Sequence, residues 1–220
     1  EIIDGTEHFN TVLYTGTGST RSVSGVGFQP DWVWLKDRTT AYDHHLFDAV
    51  RGGGNSLYSN DAVVENTYAT DITFASNGFS IADGGSTPQI YINKNNDSFV
   101  SWNWLAGNDA SATSVGTIDS TGQVNTKAGF SIVSWTGTGS AGTIAHGISK
   151  PELIIVKNRD QADKWVVYHE GQNANPATGY VSLNETSAFG ASSSVWNDTA
   201  PTSTVFSVGT GGSVNASSEK

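Results

Sequence analysis

Residues 130–142 read FSIVSWTGTGSAG and residues 9–21 read FNTVLYTGTGSTR, an apolar run and a TGTGS turn written twice in one chain. The later copy spells Gly137-Thr-Gly139-Ser-Ala-Gly142, the G-x-G-x-x-G of a dinucleotide-binding turn. That fingerprint carries meaning only where a helix follows. Here Gly147 and Pro151 interrupt the next segment and the apolar residues form a short β-branched run, LIIV, so the free N–H groups of a helix N-terminus are not on offer to a phosphate. Arg21 stands where the third glycine falls in the earlier copy. Both stretches therefore read as strand-to-strand turns, with glycines supplying positive φ and Ser/Thr hydroxyls capping the bend.

The match runs well beyond the turn. FNTVLYTGTGSTRSVSGVGFQPDWVWLKDR from Phe9 lies without a gap over FSIVSWTGTGSAGTIAHGISKPELIIVKNR from Phe130. Pro30/Pro151, Lys36/Lys157 and Arg38/Arg159 are identical, and Tyr14/Trp135 and Asp37/Asn158 are conservative. After a length difference, GFSIADGG around Phe79 matches VFSVGTGG around Phe206. Such self-similarity is the mark of an internal repeat. The first copy continues into SFVSWNW at residues 98–104, and Lys220 falls just before the matching place in the second. The second copy is expected to lack that last strand in this chain, through a break or a continuation beyond it. The absence of methionine points to a processed chain or an interior segment of a longer polypeptide.

In DWVWLK, tryptophans alternate with Val33 and Leu35, so both faces are apolar and the strand is central. SFVSWNW sets Val100, Trp102 and Trp104 on one face and Ser101 and Asn103 on the other, as in a half-buried strand. Turn-formers separate the runs at 16–19, 52–55, 83–88 and 93–97, and no segment holds helical periodicity past a turn or two. The expected fold is all-β: two tandem, internally repeated antiparallel β-sandwich units of jelly-roll type, at 1–107 and 130–220, joined by a Ser/Thr/Gly-rich junction at 108–129 with room for one short strand.

With 21 acidic against 11 basic residues and a net charge of -10, the chain lacks the basic face that phosphate-backbone binding needs, so nucleic acid is not an expected partner. No apolar run is long enough to span a membrane. With no cysteine there is no disulfide and no thiolate ligand. The five histidines have no i+2 or i+4 partners to form a metal set. No cofactor is expected; the oxygen-rich NKNND (93–97) and SNDAVVEN (59–66) leave calcium as an alternative, without EF-hand spacing. Neither E-x-D-x-x-E nor G-x-S-x-G occurs, so the residues give no catalytic set and the chain is expected not to be an enzyme.

Two groups of residues are candidates for binding. Tyr42, Tyr58, Tyr91 and Trp196, with Asp198 beside the last, stand among polar residues as sugar-stacking rings and their hydroxyl partners do. Buried anchors beneath long loops would look the same. Lys36 and Arg38, with their counterparts Lys157 and Arg159, each place two cations at i and i+2 at the end of a central strand. A salt bridge to Asp31 or Asp48 is one reading; an anionic sugar or a subunit contact is the other.

The phrases HFNTVLYTGTG, GFQPDWVWLKDR, SFVSWNWLAG, AGFSIVSWTGTGS and VWNDTAPTSTVFSVG resemble a repeat found in structural proteins of tailed phages, especially those of marine hosts. The resemblance covers nearly the whole chain and implies a virion component, a tail fibre or appendage with a sandwich similar in appearance to concanavalin-type lectins. Its implied partners are host-surface glycan and other virion proteins, in a homo-oligomer that is trimeric in fibres. Alternatives are a virion polysaccharide depolymerase and a decoration module with no ligand.

Overall fold

The computed structural model describes residues 4–67, 72–82, 89–107 and 115–220. The turn expected at 83–88 and the start of the junction, 108–114, lie outside them. Chain contacts divide the protein into two units, Glu1–Ser59 with Glu65–Gly107 and Asn60–Val64 with Asn108–Lys220.

The first unit contains β1 (Phe9–Thr15), β2 (Arg21–Ser24), β3 (Trp32–Asp37), β4 (His45–Asp48), β5 (Asn55–Tyr58), β6 (Asn66–Thr67), β7 (Ile72–Ala75), β8 (Gly78–Ile81), the single-turn helix α1 (Gln89–Asn93) and β9 (Ser98–Trp104). One antiparallel sheet runs β1-β9-β3-β4-β5-β6 and a second runs β2-β8-β7. Tyr14, Val33, Leu35, Phe47 and Phe99 from the first sheet meet Val23, Ile72, Phe79 and Ile81 from the second in one buried cluster, closed by Ile92 of α1. The last strand of the unit thus sits inside the larger sheet, between β1 and β3, as a central strand must to be covered on both edges.

The alternation of β9 is as its sequence says, but the faces are reversed relative to the apolar-inside rule. Ser101 and Asn103 are fully buried and Trp102 and Trp104 only partly. Opposite Leu35 and Val33, the inner layer takes a hydroxyl and an amide that hydrogen-bond locally: Asn103 Nδ2 donates to the Asn10 carbonyl at 3.1 Å and to Ser101 Oγ at 3.1 Å. The larger indoles lie on the outer face.

The second unit contains β10 (Ser120–Asn125), β11 (Phe130–Trp135), β12 (Gly142–Ala145), β13 (Leu153–Val156), β14 (Val166–His169), β15 (Gly179–Ser182), β16 (Gly190–Ala191), α2 (Ser193–Trp196), β17 (Val205–Val208) and α3 (Gly212–Asn215). Its sheets are β13-β14-β15-β16, β10-β11 and β12-β17. The described part of the Ser/Thr/Gly-rich junction is not a bare linker: β10 pairs along the length of β11, from Ser120 opposite Trp135 to Asn125 opposite Phe130. Ile144, Val166, Tyr168, Trp196, Phe206 and Val208 lead the core.

Each TGTGS turn lies between two strands and grips a short helix. Gly16 and Gly137 pack so closely on the carbonyls of Lys94 and Ala216 that a Cβ would collide with them, while Gly18 and Gly139 hold φ of 65° and 71°. Thr17 N donates to Asn93 Oδ1 at 2.9 Å and Thr138 N to Asn215 Oδ1 at 2.8 Å. No helix starts at Ser140; β12 follows instead.

Candidate functional site

On the outer face of the six-stranded sheet, the register sets Trp32 opposite Trp104 and Trp34 opposite Trp102, and Phe9 opposite Trp104 on the other side. Ring centroids are 4.5 Å apart for Trp32–Trp104, 5.9 Å for Trp34–Trp102 and 4.8 Å for Phe9–Trp104. The result is an aromatic stripe across β1, β9 and β3, each cross-strand pair contributing about 0.2–1 kcal/mol. The four indoles are half-buried, and beside them Phe9 is 38% and Leu13 62% exposed. Trp34 Nε1 donates to His44 Nδ1 at 2.9 Å. Burial, with Lys36 adding to it, holds the His44 imidazole below the usual histidine range, which keeps that nitrogen an acceptor near neutral pH.

This stripe was not among the candidates read from sequence, where the tryptophans passed as core. Its signal was there: W-x-W occurs in DWVWLK and again in SFVSWNW, and a period of two puts each pair on one face.

The three tyrosines singled out do come together. Tyr42 and Tyr91 meet edge-to-face at 4.7 Å, and His45 meets Tyr58 at 4.7 Å and Tyr91 at 6.0 Å. Their rings are half-buried and pack chiefly on one another, with Tyr58 OH accepting from Asn66 Nδ2 at 3.0 Å and Lys94 Nζ 5.4 Å from the Tyr42 ring centroid. They tie the loop after β3 to β5 and α1. His45 is buried at their centre, and that burial pushes its imidazole down to about 4.

Trp196 is a correction. It is 2% exposed and packs edge-on against Tyr168 and Phe206, so it offers no face to a sugar. Its polar neighbours misled because α2 is a single turn closed by Asn197 in the left-handed region, which aims the indole inward and leaves Asp198 exposed at φ 48°.

The lysines of the two cationic pairs hold backbone carbonyls rather than Asp31 or Asp48. Lys36 Nζ donates to the carbonyls of Asp37 at 2.7 Å and Tyr42 at 2.9 Å, tying down the loop after β3. Arg38 is exposed beyond the strand's end. The expected partners are occupied: Asp31 accepts from the N–H groups of Ala106 and Gly107, and Asp48 pairs with Arg51 at 2.5 Å. Lys157 likewise donates to the carbonyls of Asn158 and Gln161; burial pushes its ammonium down to about 8 against the opposing pull of Asp163 and Asp61. Lys157 and Arg159 share the wall of a small open cleft between β11 and β13, with α3 and Lys220 at its end.

Among the described residues, no three His, Asp or Glu side chains gather as metal ligands would. In the segments read as calcium alternatives, Asp97 accepts from Thr40 and Lys94, and Glu65 from Arg51. No helix among the described residues is long and apolar enough to cross a membrane.

With 38% of the described residues in strands and 9% in helices, the chain is an antiparallel all-β protein. It belongs to the family described as domain of unknown function DUF7483, whose pattern matches residues 4–220. No curated protein and no solved structure matches it.

Proposed function

We propose that this chain is a non-catalytic segment of a tailed-phage virion, a tail fibre or appendage module, built of two copies of one β-sandwich unit and contacting host-surface glycan. Its place in a virion rests on the resemblance of its recurrent phrases. The copies reading is supported by the sequence match and by paired contacts, Thr17–Asn93 with Thr138–Asn215 among them.

The observation that carries the binding role is the stripe of Trp32, Trp34, Trp102 and Trp104. A sheet face bearing half-exposed indoles suits the C–H faces of pyranose rings, with polar groups such as His44 at its margin to fix orientation. The contact surface is then the sheet face, while the tyrosine cluster braces the loops at its side.

Glycan-array binding and adsorption to bacterial cells, measured for the wild-type chain and for Trp34→Ala/Trp102→Ala, test this reading. Binding by the wild type, lost at least about tenfold in the variant while the melting transition persists, supports it. Absence of binding in both assays contradicts the glycan role, and turnover of capsule or lipopolysaccharide contradicts the non-catalytic one.

A further inference from the structure

The cleft between β11 and β13 lies where the first unit carries β9. In the first unit, β9 is hydrogen-bonded to β1 on one side and β3 on the other. It is entered through two backbone bonds, Gly16 N to Asp97 O at 2.8 Å and Arg38 N to Ser98 O at 2.7 Å. The second unit repeats that entrance: Gly137 N donates to Glu219 O at 2.7 Å and Arg159 N to Lys220 O at 2.7 Å. Even the ring tie is matched, Tyr14 OH donating to Ile92 O at 2.6 Å and Trp135 Nε1 to Val214 O at 3.1 Å.

Among the described residues, β11 pairs only with β10 and β13 only with β14, and the walls differ from those of the first unit. Val33 and Leu35 are 0% and 1% exposed beside β9, whereas their counterparts Ile154 and Val156 are half-buried and 6% exposed, and Leu153 is 53% exposed. Two facing strand edges with apolar side chains between them form a template for one more strand.

We propose that this cleft is the seat of a β-strand continuous with Lys220, antiparallel to both β11 and β13 and patterned like β9. The entrance sets its direction and register, because Glu219 and Lys220 already make the first bond on each side. Its first residue beyond Lys220 takes the place of Phe99, which stacks on Tyr14 at 5.1 Å, and so is a large apolar side chain set against Trp135. This inference rests on the two units being copies, a reading tested separately by the asparagine substitutions below.

The test is a chain lengthened after Lys220 by FVSWNWLAG, compared with one lengthened by the same residues in an order that destroys the alternation. The native-order extension is expected to raise the melting temperature by about 5–10 °C, to protect its own amides from exchange, and to slow acylation of Lys157. The scrambled extension is expected to change none of these. Equal behaviour of the two extensions would overturn the proposal. So would a 220-residue chain that dimerises through this cleft, shown by concentration-dependent mass together with protection of β13 amides, since the seat would then belong to a second copy.

Discussion

Asn215 holds the turn at Thr138: its Oδ1 accepts from the Thr138 N–H at 2.8 Å, and its Nδ2 donates to the Ser140 carbonyl at 2.7 Å. Asn93 does the same for Thr17 and Ser19, at 2.9 and 2.7 Å. Both side chains are 1% exposed. Removing either amide strips two part-buried hydrogen bonds from its turn, so Asn93→Ala and Asn215→Ala are each expected to cost about 1–3 kcal/mol in urea unfolding. Asn→Asp should not rescue, because the donor is lost and a charge is buried. A loss confined to one of the two sites would contradict their equivalence.

Arg51 bridges two acids, reaching Asp48 at 2.5 Å and Glu65 at 2.7 Å, all three side chains at most 10% exposed. Arg51→Leu takes the guanidinium away from both carboxylates and is expected to destabilise the first unit by about 3–5 kcal/mol. Asp48→Asn/Arg51→Met/Glu65→Gln should recover most of that loss in the same unfolding assay.

Stability should fall on acidification through the histidines. Burial holds His45 at about 4, and lowers His44 and His146 as well. An unfolded histidine titrates near 6.5. Between these values the unfolded chain binds a proton that the native chain refuses, so stability drops as pH falls from about 6.5 and levels off below about 4. For His45 alone the drop is on the order of 3 kcal/mol. Urea titrations from pH 7.5 to 4.5 should show His45→Phe with a shallower slope than wild type; parallel slopes would refute the buried neutral imidazole.

Trp196 and Trp34 should answer differently to the same truncation. Trp196→Ala empties a buried site and is expected to cost about 3–5 kcal/mol. Trp34→Ala removes a half-buried ring from an outer face and is expected to cost clearly less in thermal or urea melts. Acrylamide should quench the stripe tryptophans while leaving Trp196 dark to it.

The strand at DWVWLK and the turn at TGTGS were legible, because period-two alternation and glycine punctuation are local properties. Which face of SFVSWNW turns inward was not. That choice depends on residues distant in sequence: β9 lies beside β3 in one sheet, and the register sets Ser101 and Asn103 next to the buried Leu35 and Val33. The one short strand allowed for in the junction is β10, but its pairing with β11 was not legible in the polar STGQVN. The tyrosines at 42, 58 and 91 were individually visible, but their meeting around His45 depends on how β4, β5 and the loop beside α1 are brought together. Trp196 was misplaced because sequence context reports the neighbours' exposure, and a one-turn helix can bury one residue among exposed ones.

Amide hydrogen exchange resolved to single residues on the 220-residue chain tests most directly that the two units are copies and that the second keeps an open strand seat. Bonds of an antiparallel strand alternate sides, so the Arg38–Ser98 and Arg159–Lys220 bonds place the Trp34 amide against β9 and the Ile155 amide toward the cleft. Exchange at Ile155 is predicted to be at least about tenfold faster than at Trp34, with the FVSWNWLAG extension restoring protection. Equal protection of the two amides in the unextended chain would contradict it.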